Sequence, residues 1–142
     1  KSSTSIVDAT VHNLFDIVSS AESAAGDTEY RCFYIHNAHA TLTAQSSKVW
    51  IQTNTPSTST SVEIGLGTSA VNGTEQTVAN ESTAPSGVTF TAAAVDLATG
   101  LVIGDIPPGQ HKALWVKRII SAAAPAYSAD NTLIRIGCDT AA

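Results

Sequence analysis

The sequence predicts an antiparallel all-β fold, a β-sandwich, on three observations. From residue 30 onward, short runs of β-branched and aromatic residues are punctuated by clusters of Gly, Pro, Asn and Ser. Two of these runs, Val62, Ile64, Leu66 and Ile134, Ile136, Cys138, place an apolar residue at every second position, as a half-buried strand requires. Charged residues make up only 13% of the chain, while 34 of its 142 residues are Ser or Thr and 22 are Ala. That composition implies a surface of hydroxyls and small apolar groups, and it is not the high-charge composition of a disordered chain. A chain of this length buries roughly two thirds of its unfolded surface around one core. The expected organisation is an N-terminal arm over 1–29 and a single sandwich over 30–142.

In the arm, Val11, Leu14, Phe15 and Val18 stand at helical spacing, with Thr10 as a cap and Gly26 as a stop. An irregular arm packed by Leu14 and Phe15 accounts for the same residues equally well. The first strand, YRCFYIHN over 30–37, is apolar on both faces, since Tyr30, Cys32 and Tyr34 alternate with Phe33 and Ile35. Asn37 at its end can bond its own backbone and start a turn. The next strands are SKVWIQT over 47–53 and SVEIGL over 61–66. Residues 67–100 form an insertion-like region rich in Thr, Ala, Asn and Gly, with Val78, Val88 and Phe90 as its strand-like points. Structureless connections beyond ~15 residues are uncommon, so this region should hold a short strand or serve as an interaction loop.

GLVIGDI over 100–106 runs into Pro107, Pro108 and Gly109. Two residues without an N–H followed by one suited to positive φ describe a tight corner between two sheets. The strand QHKALWVKRII over 110–120 is again apolar on both sides, with Trp115 and Ile119 on one and Leu114, Val116 and Ile120 on the other. The second face therefore needs a cover, either the N-terminal segment or another subunit. NTLIRIGC over 131–138 is the closing strand. A strand ending in Asn, a PPG corner, a long strand and a closing strand resemble an immunoglobulin-like or jelly-roll-type sandwich. Cys32, Trp50 and Cys138 follow the Cys–Trp–Cys order of antibody domains, but Cys138 lies on the last strand where that family uses the penultimate one. The architecture carries over and the disulfide does not, so whether Cys32 and Cys138 are bridged stays open.

The charge of −5, with seven Lys and Arg, offers no basis for gripping a phosphate backbone. No apolar run approaches the ~20 residues that cross a bilayer as a helix. Neither nucleic acid nor membrane is an expected partner. Cys32, His36 and His39 look like a ligand cluster, but on a strand Cys32 and His36 lie roughly 13 Å apart, too far to share an ion without other segments. The sequence carries no G-x-S-x-G, H-E-x-x-H, paired C-x-x-C or P-loop, and its twelve acids are scattered singly. No enzymatic activity, metal or cofactor is expected from these patterns. Calcium held by loop acids near Asp27 and Glu29 stays open, as does an unrecognised constellation around His111.

NLFDIVSSAESAAGDTEYRCFYIHNAHATL over 13–42, with DIPPGQHKALWVKR over 105–118, resembles small structural proteins of tailed bacteriophages. The likeness spans most of the chain, with an LFD…G.TEYR…Y..N opening and a later PG…W..R run. It implies a virion component on the outer surface of head or tail, a decoration (cement) protein or a tail-associated one. The implied partners are copies of the chain itself and the phage major capsid protein or other virion proteins. The expected contact residues are Leu14 and Phe15 of the arm, Val78, Val88 and Phe90 of the 67–100 region, and Trp50. The alternative is a tail or fibre module that binds a receptor or glycan, for which an exposed Trp50 would serve as a stacking platform.

Overall fold

The computed structural model describes residues 6, 7, 10, 12 and 14–140, so Val11 lies outside the described residues. The elements in order are α1 (Ser20–Ala25), β1 (Asp27–His36), β2 (Ala44–Thr53), β3 (Thr60–Leu66), β4 (Leu101–Ile106), β5 (His111–Ile120) and β6 (Leu133–Thr140). All six expected strands are present. They form two antiparallel three-stranded sheets, β1-β5-β3 and β4-β2-β6, so the all-β sandwich is the fold. Each consecutive strand lies in the other sheet, and no two neighbours in sequence form a hairpin. The PPG turn is one such crossing, from β4 to β5, with Gly109 at φ 71° and the Gln110 N–H donating to Pro107 O.

The core lies between the sheets. Ile35, Val62, Ile64, Leu114 and Val116 of the first meet Val49, Ile51 and Ile106 of the second, each no more than 7% exposed. β2 begins at Ala44 because a bulge at Ser46, at φ 51°, shifts the register while the Ser46 N–H is taken by Asp105.

The arm is irregular and helical in turn. Leu14 and Phe15 pack against the core, and the helix follows them, capped by Ser19. Ser19 and Glu22 form a reciprocal capping box, a local signal stronger than Thr10 could supply. Gly26 ends the helix at φ +78°, and a Cβ there would lie 2.9 Å from Ala122 N, so the expected stop holds for a conformational and a steric reason.

Within the chain, the second face of the β1-β5-β3 sheet is covered by residues 67–91 and not by the arm. This segment leaves β3, bonds β5 through the Asn72 N–H to His111 O, and reaches the far edge of β1, where Glu81 O accepts from the Tyr30 N–H. It returns to the free edge of β3, where Ile64 and Thr91 exchange backbone bonds. The segment thus straps the sheet from edge to edge with no strand of its own beyond that single bridge. Its compositional bias permits this, because Gly and Thr residues satisfy their backbone groups through turns and side chains.

Candidate functional site

Under the strap, on the outer face, lies a dense polar cluster. Tyr34 packs edge-on to His111 at 4.7 Å between ring centres, and its hydroxyl accepts from the Glu75 N–H. The Glu75 carboxylate accepts from Thr68 Oγ1 and from the Ser69 and Gln76 N–H groups. Burial alone would raise this carboxyl, but the bonds from Ser69 and Gln76 hold it down to about 2. Its stabilising contribution is therefore present above the ordinary carboxylate range and lost only as the pH falls toward that value. Gly65 and Gly67 let the strap sit this close: a Cβ on Gly65 would lie 2.6 Å from Val88 Cγ1, and one on Gly67 2.2 Å from Glu75 Oε2.

Three of the four histidines, His36, His39 and His111, stand in three different settings. His111 is buried and reaches Gly73 O, His36 lies 3.2 Å from Gly109 O, and His39 Nδ1 accepts the N–H groups of Thr41 and Leu42. Among the described residues, the groups able to hold a metal ion consist of carboxylates and include none of Cys32, His36 and His39.

Both cysteines are free, Cys32 half-buried under the strap and Cys138 exposed on β6 in the other sheet. Burial first, and then the Glu75 carboxylate, push the Cys32 thiol up to about 12. A maleimide at pH 7.5 is expected to label Cys138 at least about tenfold faster than Cys32, since only the thiolate attacks. Peptide mapping by mass spectrometry reads the ratio, and equal labelling would contradict this placement.

The six expected contact residues fall into two groups. Leu14 and Phe15 pack against the core, and Phe15 lies under the Arg118 guanidinium at 4.8 Å. Val88 lies against Gly65, Phe90 against Tyr30 at 5.5 Å, and Val78 is half-buried in the strap. Trp50 differs, because it stands half-exposed on the outer face of the second sheet. Its ring lies over Gly137, where a Cβ would be 3.1 Å from two ring atoms. It borders a depression of about 300 Å³ with Lys48, Leu97 and Asp139. Trp115 is 2% exposed and offers no platform.

The surface lacking a cover is that second sheet, and above all β6. Six of its eight residues are open to solvent, Arg135 and Asp139 among them, together with Leu133 at 46% and Ile136 at 49%. β6 pairs with β2 on one side only, leaving its other edge unpaired. Beside that edge, Phe33 and Ile35 of β1 face Ala44, Ile106, Ile136 and Cys138 across a cleft of about 330 Å³. Arg135 and Asp139 project two residues to either side of Gly137, and neither has a hydrogen-bonding or ionic partner among the described residues. The alternation of Ile134, Ile136 and Cys138 marked this strand in the sequence but could not disclose that its inner face is only partly covered. No family model matches the chain, and no curated protein or solved structure matches it.

Proposed function

We propose that this chain is a non-enzymatic structural protein of a tailed-bacteriophage particle, a head decoration or cement protein that acts by packing against copies of itself and against the major capsid protein. The observation that carries the assembly part of this reading is β6: a full-length edge strand with exposed Leu133 and Ile136 and two unpartnered charges placed symmetrically about Gly137. Open edges of this kind are normally blunted or covered, and a partner strand is the direct way to cover one. Antiparallel pairing with a second β6 about a two-fold axis at Gly137 sets Arg135 of each copy opposite Asp139 of the other, and glycine opposite glycine. The two β4-β2-β6 sheets then become one six-stranded sheet. The virion part of the reading is supported by the likeness of residues 13–42 and 105–118 to phage structural proteins.

Light scattering tests the assembly. Arg135→Asp and Asp139→Arg are each expected to shift the protein to monomer at micromolar concentration, and the double exchange to restore the oligomer. An oligomer indifferent to all three would remove β6 as the contact. Co-sedimentation of purified protein with phage particles stripped of their decoration tests the virion reading separately.

A second reading, a tail or fibre module that binds a glycan, is favoured by the depression bordered by Trp50, Lys48 and Asp139. Saturable quenching of Trp50 fluorescence by an oligosaccharide, abolished in Trp50→Ala, would support it in place of the first.

A further inference from the structure

We propose a calcium site at the foot of the arm, formed by Glu22, Asp27 and Glu29. One carboxylate oxygen from each of the three lies within 4.8 Å of the others. The sequence scatters them over the helix and the first strand, and the Gly26 turn is what folds Glu22 back beside the start of β1.

Two features distinguish the group from an ordinary acidic surface. Glu29 is fully buried, and its Oε1 has no hydrogen-bond partner, although its Oε2 accepts from Arg118. A fully buried carboxylate oxygen without a hydrogen bond from the protein calls for a further partner, which an ion can supply. In addition, neither Glu22 nor Asp27 has a cationic partner among the described residues; they accept only the backbone N–H groups of Ser19 and Thr28. Three carboxylates at this spacing repel one another with a single arginine, Arg118, to offset them. A divalent cation would neutralise the remaining charge and fill the open position on Glu29.

The chemistry favours calcium. Hard oxygen donors from three flexible carboxylates, completed by water, suit an ion that takes six to eight ligands at about 2.3–2.6 Å. Magnesium, which demands near-ideal octahedral geometry at about 2.0–2.1 Å, is suited less well by three carboxylates brought together from a helix and a strand. A second carboxylate group, Asp16, Glu29 and Glu81, shares Glu29, but there Arg118 and Arg31 already pair with Asp16 and Glu81. The ion would bind the helix to β1 and so stiffen the arm. This site is independent of the assembly proposed above.

The test is calorimetric titration of the EDTA-treated protein with calcium chloride and, separately, magnesium chloride, together with thermal melts. The expected result is saturable calcium binding at least tenfold tighter than magnesium, and a melting temperature that rises with calcium. Both effects should vanish in the Glu22→Gln/Asp27→Asn double variant, which keeps side-chain shape and whose circular dichroism reports that it remains folded. Each single variant should bind calcium more weakly. Absence of saturable binding, equal affinity for magnesium, or an unchanged calcium response in the double variant would overturn the assignment.

Discussion

Replacing Arg118 with Ala is expected to destabilise the protein by about 3–5 kcal/mol, the range for removing one partner of a buried ion pair. Arg118 donates through Nε to Glu29, which is fully buried, and through its terminal nitrogens to the carbonyl and, at 3.5 Å, the carboxylate of Asp16. Its guanidinium also lies over the Phe15 ring. Truncation leaves both Glu29 oxygens without a hydrogen bond inside the fold and releases the arm that Asp16 and Phe15 hold down. For a chain of this size the loss corresponds to a fall in melting temperature on the order of 10 °C. Arg118→Lys should retain part of the stability, because it keeps the charge but cannot bond Glu29 and the Asp16 carbonyl in one rigid fork. Thermal melts and urea titration measure both variants; a loss below 1 kcal/mol for Arg118→Ala would mean that water satisfies Glu29 and that the ion pair contributes little.

Asn37→Ala should cost about 2–4 kcal/mol, the sum of three hydrogen bonds with one buried carbonyl left open. The Asn37 amide donates to Ile106 O and to Leu42 O, both at 2.8 Å, and its oxygen accepts from the His39 N–H at 3.0 Å. Its backbone exchanges bonds with the PPG corner, through Gln110 O and the Gly109 N–H. One residue thus fastens the turn after β1 to the turn before β5. Asn37→Asp should be at least as damaging, because a carboxylate would face two carbonyl oxygens that now receive N–H donors. Hydrogen exchange should show loss of protection at Gly109 and His39 ahead of the strand centres. Loss confined to His39 would mean that the two corners are not coupled.

The local pattern of the chain determined most of the fold. Alternating apolar residues marked β3 and β6, β-branched and aromatic runs marked the other four strands, and Pro107, Pro108, Gly109 and Asn37 marked turns whose residue chemistry acts over a few positions. Period and turn chemistry are local properties, so they survive in a linear reading. The strand starts that were missed, at Asp27 and Ala44, belong to residues whose pairing comes from a distant strand or a bulge.

What only the tertiary structure decided is which surfaces are covered. Two apolar faces on β1 and β5 required a cover, yet nothing in their sequences could say that residues 67–91 supply it, because that contact joins segments tens of residues apart through Gly65, Gly67 and Glu75. The same holds for the carboxylates: Glu22, Asp27 and Glu29 read as isolated acids until the Gly26 turn brings them within 4.8 Å of one another. Exposure of β6 was equally hidden. Alternation specifies that a strand has an apolar face, whereas the position of that strand at a sheet edge, set by long-range pairing, decides whether the face meets a core or is left for a partner.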